Sequence, residues 1–364
     1  MATAGARKRR RTGARKKVRA ARATTARTPL RAGTTSRDVA QLAGVSRSAV
    51  SRTFTPDASV SEATRRKVLA AAAELGYQPN VLARSLITDR SRLIGLVMGE
   101  WQNPFYATML RLLSEKLQRR EYQLMLLTAT PEDDVAGAVR RLLQYRAEAI
   151  LMVSCTPDPA LAQSCVRDGT RLVVVNRDTG AMPVTNVSTD NARIGRDVAQ
   201  LLLQAGYRRI GVVRGDPNVS VAKARTEAFK ATVAASRRAR LVLDQTGVVG
   251  YAAGREMIRA VLRDGGPRPD AIFCASDLTA IGALDGARLD LGLDVPGQLG
   301  IVGLGDAPVA SWAPYDLTTV QLPIEPLIDA AVEALLAPAT ADARRAIVVD
   351  SGIVQRSTVR GPRR

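Results

Sequence analysis

Histidine is absent from the 364 residues, which removes imidazole as a general base, as a partner for a nucleophile and as a metal ligand. Three cysteines, Cys155, Cys165 and Cys274, stand without any Cys-x-x-Cys spacing. Buried free thiols are therefore expected, and neither a disulfide framework nor a thiolate metal site is. No apolar run approaches the ~18 to 20 residues that span a bilayer. The N-terminus has no apolar signal-peptide core, so the chain is expected to stay in the cytoplasm and away from membranes. Without histidine no nucleophile, base and orienter can be assembled, which leaves a sugar-processing enzyme working by carboxylate or lysine chemistry as a lesser alternative; the leading reading is of a non-enzyme with no catalytic residues, no metal and no cofactor. Acidic residues are outnumbered, 34 against 53 Lys and Arg.

The resulting net charge of +19 is unevenly placed. Residues 1–34 hold twelve basic side chains and no acidic one, residues 35–90 carry a net +3, and the remaining 274 residues are close to balance at +4. Such placement suits a nucleic-acid-facing end attached to a neutral body. The first segment lacks large apolar residues and is expected to be a disordered basic arm. It is either a polycation that releases counterions from DNA or a dispensable extension.

From Thr35 the pattern turns helical. Thr35 with Asp38 three residues on makes a capping box, and Val39, Ala40, Leu42 and Ala43 make an apolar stripe that stops at Gly44. Ser46 caps a second short helix with Val50 and Phe54 inward and Arg47, Ser48, Ser51 and Arg52 outward. A third helix is expected from Glu62 to Leu75, with Val68, Leu69, Ala72 and Leu75 inward. After "YQPN" follows a segment of about two turns, too short to be stable alone.

The body reads as α/β. Apolar runs "LIGLVM", "QLMLLT", "AILMVS", "RLVVVN", "RIGVV", "AIFCAS" and "LGIVGL" alternate with helical stretches at 105–120, 190–205, 222–235, 252–263 and 277–291. Further strands are expected around 317–321 and 345–356. That alternation implies parallel sheets, with ligands held outside the carboxyl ends of the strands.

"SRDVAQLAGVSRSAVSRTF", "VSEATRRKVLAAAAELGYQPN" and "VLARSLITDRSRLIGLVMGEWQNPFY" resemble the LacI family of bacterial transcriptional regulators, in register from Thr35 to about Thr358. The resemblance implies an N-terminal all-α helix-turn-helix module plus a periplasmic-binding-protein-like body of two doubly wound parallel-sheet subdomains. The expected organisation is an arm over 1–34, a DNA-binding domain over 35–78, a hinge helix and linker over 79–91, and an effector and dimerisation domain over 92–360. Within the last, one subdomain takes 92–188 plus 323–338 and the other 189–320 plus 345–358.

The resemblance also implies residue roles. Arg47, Ser48 and Arg52 match positions that contact base edges, Thr35 and Asn80 positions near phosphates, and Leu86 the leucine that wedges into the minor groove. Phe105, Tyr106, Asn176, Arg225, Ser276, Asp277 and Asp306 fall on or beside effector positions. Three departures stand out: Ser276 where many members have Asn, Leu304 and Gly305 before Asp306 where they have Phe and Asp, and Val249 where an aromatic is frequent. The expected protein is a homodimeric regulator, most often a repressor, that binds a palindromic DNA operator under control of a small-molecule effector such as a sugar. It would sit with the nucleoid in the cytoplasm. The chain ends "VQRSTVRGPRR" without the apolar heptads of tetramer-forming members, so a dimer is expected. A solute-binding protein is the competing class, disfavoured by the helix-turn-helix and the missing signal peptide.

Overall fold

Thr35 opens the first helix, α1 (Ser36–Ala43), through the capping box that its spacing to Asp38 implies: the Thr35 N–H donates to Asp38 Oδ2 at 2.8 Å while the Asp38 N–H donates back to Thr35 Oγ1. The Thr35 backbone bond holds the Asp38 carboxyl below its usual range. Gly44 then adopts a left-handed φ of 63°, which a glycine takes without strain, and turns the chain into α2 (Arg47–Thr53), capped by Ser46. With α3 (Glu62–Glu74), capped by Ser61, these helices bury Val39, Ala40, Val50, Val68, Ala71 and Ala72, flanked by Phe54, Leu75 and Tyr77. Leu42 and Leu69, expected inward, are both 46% exposed. At 100° per residue each lies roughly 110° from the centre of its helix's apolar stripe, and alanines fill the inner positions instead.

The computed structural model describes residues 34–55, 58–78, 90–99, 104–129, 134–215, 219–263, 266–338 and 344–362. Residues 1–33 of the expected arm, and Asn80 and Leu86 of the expected hinge, lie outside the described residues. The chain divides into two units, Met1–Val81 and Leu82–Arg364.

In the second unit the chain first lays down β1 (Leu93–Met98), α4 (Pro104–Gln118), β2 (Gln123–Thr128), α5 (Val135–Gln144), β3 (Ala149–Val153), α6 (Pro159–Arg167), β4 (Arg171–Val175) and β5 (Thr185–Thr189). It then crosses into α7 (Asn191–Gln204), β6 (Arg209–Val213), α8 (Ser220–Ala235), β7 (Arg240–Gln245), α9 (Gly250–Arg263), β8 (Ala271–Cys274), α10 (Asp277–Asp285), β9 (Gly300–Gly305) and β10 (Thr319–Gln321). Finally it returns through α11 (Ile324–Leu336) and β11 (Arg345–Val349) and crosses again to β12 (Gly352–Val354). The two six-stranded sheets run β11-β5-β4-β3-β1-β2 and β12-β10-β9-β8-β6-β7. β12 runs antiparallel to β10, while the other described pairings are parallel.

One expected boundary is corrected: residues 345–358 do not belong to the second subdomain as a block. β11 pairs with β5 in the first sheet, and only after the crossing at 350–351 does β12 join the second. β5 ("TNVST") and β7 ("RLVLDQ") were not among the apolar runs. β5 carries a single large apolar side chain, Val187, and is held by its place between β4 and β11. All three cysteines are buried and free, and burial pushes the Cys155 and Cys274 thiols up to about 11 and about 12. Among the described residues no helix is long and apolar enough to cross a membrane.

Candidate functional site

On the helix-turn-helix unit, the second helix presents one polar face. Ala49, Val50 and Thr53 are buried, so the 3.6-residue period leaves Arg47, Ser48, Ser51 and Arg52 exposed. Ser46 Oγ accepts the Ala49 N–H at 3.2 Å and pairs with Ser48 Oγ at 2.8 Å, which fixes the start of the helix. Arg52 Nε donates to the Ser48 carbonyl at 3.4 Å, and its Nη groups have no partner among the described residues. Two guanidiniums and two hydroxyls on one exposed helical face are the donor set that reads guanine edges and phosphate oxygens. Thr35 is exposed at the start of α1.

On the body, a cavity of about 600 Å³ opens between the two sheets. Its walls come from the carboxyl ends of the strands: Gly99 after β1, Ser154 after β3, Asn176 and Arg177 after β4, Gly215 after β6, Ala275 and Ser276 after β8, and Leu304 and Gly305 at the end of β9. In each sheet the order reverses beside its first strand, and that is where a doubly wound sheet leaves a crevice. Ser154 and Asn176 hold left-handed φ values of 59° and 56°, strained backbone placed on the cavity wall.

Phe105 and Tyr106 both line the cavity, with ring centroids 5.3 Å apart at 84°. The Tyr106 hydroxyl accepts a hydrogen bond from Ser154 Oγ, which joins the α4 ring to the β3 terminus. Arg225 sits in the second turn of α8, only 6% exposed, and its guanidinium makes no hydrogen bond or ion pair with any described residue. Burial pushes it down to about 10, with the Tyr106 phenol acting in the opposite direction. Its place depends on Gly195 in α7, where a Cβ would collide with the Arg225 carbonyl oxygen. Only glycine lets α8 approach this closely.

The structure thus brings Phe105, Tyr106, Asn176, Arg225 and Ser276 to one wall, and two expected residues elsewhere. Asp277 does not line the cavity. Its carboxylate is turned inward against Thr319 and the Ala307 N–H and is 3% exposed. Asp306 is also outside, ion-paired with Arg356 Nη2 at 2.8 Å and accepting from Gln321 Nε2 at 3.0 Å. Both carboxylates are consumed by partners far along the chain. Arg177, Tyr251 and Thr279 line the cavity without having been singled out. The polar residues that follow strand ends, as Arg177 follows "VVVN", were the available signal. Ser276, besides lining the wall, caps α10 through Thr279.

Residues 35–80 match the model described as bacterial regulatory proteins of the lacI family, and residues 91–339 match periplasmic binding proteins and the sugar binding domain of the LacI family. The ribose operon repressor of Escherichia coli (strain K12) is 32% identical over 310 residues, covering 83% of this chain and 92% of the relative. The HTH-type transcriptional regulator CelR of Thermobifida fusca is 33% identical, covering 79% and 86%. Among solved structures, the lac repressor dimer bound to operator and the anti-inducer ONPF superposes with a TM-score of 0.80 at 23% identity, covering 90% of this chain and 99% of that one. The CelR–cellobiose complex superposes with a TM-score of 0.65 at 28% identity, covering 89% and 99%. With both of its parts matched, this chain belongs to the LacI family of bacterial transcriptional regulators.

Proposed function

We propose that the chain is a homodimeric repressor that reads a two-fold-symmetric operator through Arg47, Ser48 and Arg52 on α2 and is switched by a small polar ligand in the cavity lined by Arg225. Arg225 carries the reading: a buried cation with no partner among the described residues destabilises the protein that holds it, and on a cavity wall it is poised for a ligand. Thr35 and Asn80 contact phosphates, and Leu86 wedges into the minor groove where two copies meet. Closure of the two subdomains on the ligand changes the spacing of the paired segments at 79–91, so ligand and operator affinities are linked. As a regulator acting on DNA the protein works in the cytoplasm, in association with the nucleoid.

Support for a dimer surface comes from the body. Leu289 and Trp312 are 71% and 59% exposed, and Arg288 Nη1 ties their two segments together by donating to the Pro314 carbonyl at 2.8 Å. Large apolar side chains held out on a braced surface suit a second copy of the chain. Recovering the operator by selection from random DNA, then titrating candidate ligands against that complex, tests the whole reading. Selection of no symmetric sequence would sink it.

A further inference from the structure

The charged side chains on the cavity's described wall are both positive. Its lining holds two guanidiniums, Arg177 and Arg225, and no carboxylate among the described residues. Asp277 and Asp306, which follow Ser276 and Gly305 on the wall, are turned away and spent on Thr319, Ala307 and Arg356, and Asp178, which follows Arg177, accepts the Gly180 N–H. Glu100 and Asp216 lie outside the described residues. Four helices also begin on this wall: Phe105 and Tyr106 lie in the first turn of α4, Val221 and Ala222 in that of α8, Gly250 and Tyr251 in that of α9, and Leu278 and Thr279 in that of α10. Asp277 occupies the first turn of α10 and screens that end. The other three have no acidic residue in their first turns, and α8 has no side-chain cap on its leading N–H groups. Each uncompensated N-terminus adds a fractional positive charge aimed at the cavity.

A neutral, hydroxyl-rich ligand needs acceptors for its O–H groups, and a carboxylate is the strongest acceptor a protein offers. This wall offers hydroxyls, the Asn176 side chain and the Asn176 carbonyl, the last already taken by Arg177 Nη1 at 2.9 Å. Among the described residues it lacks a counter-charge for Arg225, which is more than nine-tenths buried.

Resting on the ligand-switched reading above, we infer that the effector is an anion, a small molecule of sugar size whose carboxylate or phosphate group pairs with Arg225 and faces the start of α8. The anionic group supplies the missing partner, and in this partly dehydrated site a charge-assisted bidentate pair is stronger than a hydroxyl contact. The ring faces of Phe105 and Tyr106 cover the apolar side of the same ligand.

The test uses the full-length protein and measures its melting temperature at constant ionic strength with inorganic phosphate, gluconate, glucose 6-phosphate and glucose. Phosphate or one of the two anionic sugars should raise the midpoint by about 2 °C or more over equal ionic strength of chloride. Glucose should not. Arg225→Gln, which keeps donors and removes the charge, should lose that shift, and Arg225→Lys should restore part of it. The basic arm is the same in all three proteins, so phosphate bound there cancels in the comparison. A response to gluconate but not to phosphate and glucose 6-phosphate assigns a carboxylate, and the reverse assigns a phosphate. If no anion protects beyond chloride, or if glucose protects the wild type and Arg225→Gln alike, the ligand is not an anion held by Arg225. Operator selection reports separately, so a failed anion response with a symmetric operator in hand overturns the ligand class alone.

Discussion

Thr319 Oγ1 donates a 2.5 Å hydrogen bond to Asp277 Oδ1, and the Ala307 N–H donates to Oδ2 of the same carboxylate at 2.7 Å. One side chain thereby joins the start of α10, the turn after β9 and the strand β10, from which the chain crosses back to the first sheet. Gly303 leaves room for it, since a Cβ there would strike Asp277 Oδ1. Asp277 is a brace for the wall that carries Ser276 and Leu304, and it does not contact the ligand space.

The brace titrates. Burial holds the Asp277 carboxyl above its usual value of 3.8, outweighing the Thr319 and Ala307 bonds that lower it. A carboxyl whose folded value is raised contributes stability that is fully present below the unfolded value and is lost as pH rises through the folded one. Asp277→Asn, which offers one donor and one acceptor as the protonated carboxyl does, should change stability little at low pH. From about pH 4 upward the variant should gain on the wild type, which then carries the cost of a buried charge. Urea midpoints of both proteins across that range check this; parallel pH profiles would refute the raised value.

Arg52, proposed above as a base-reading side chain, is exposed on α2 with its Nε tied to the Ser48 carbonyl. Arg52→Ala should cost ~1 to 3 kcal/mol on the selected operator and relax preference at one base pair in each half-site. Competition between operator and random DNA provides the measurement. Equal loss on both would show a phosphate contact.

The twelve cations of residues 1–34 have no anions among them. Changing all twelve to glutamine in the full chain should flatten the slope of log K against log salt by about 0.9 for each phosphate contact removed, while operator preference over random DNA is kept. An unchanged slope would make the segment a passenger in binding.

What the sequence showed most clearly was local. The Thr35–Asp38 capping box, the Gly44 turn and the polar face at Arg47, Ser48 and Arg52 depend on spacings of three or four residues, and the structure forms each of them. Phe105, Tyr106 and Asn176 reach the cavity because strand ends point to it whatever lies beyond. The misplaced residues were those decided at a distance. Asp277 finds its partner 42 residues away at Thr319 and Asp306 finds Arg356 50 residues away, so nothing near either carboxylate revealed that it was spent. β11 likewise lies beside β12 in sequence yet pairs with β5, a choice made by where a sheet edge stood open. Leu42 and Leu69 were misplaced for a smaller reason, the width of an apolar stripe in a module whose core is largely alanine and valine.

The exposed pair Leu289 and Trp312 gives the last prediction. Trp312 follows the 3-10 turn at Pro308–Ser311, and Ala310 within that turn is fully buried, so the indole is presented on a rigid support. A large aromatic on a fixed backbone loses little conformational freedom when covered, which favours it at the centre of an interface. Trp312→Glu adds a charge that would be buried without a partner in such a seam, and should weaken self-association by about 2 kcal/mol or more. The fold of the single chain should be retained, since the side chain is 59% exposed. Sedimentation equilibrium of wild type and variant reads the dimer constant, and circular dichroism checks the fold. Because one helix-turn-helix is supplied per chain, a variant that is monomeric should hold a single half-site about as well as the wild type does, yet lose the gain from the second half-site. A variant that stays dimeric at the same concentrations would place the seam on another face of the body.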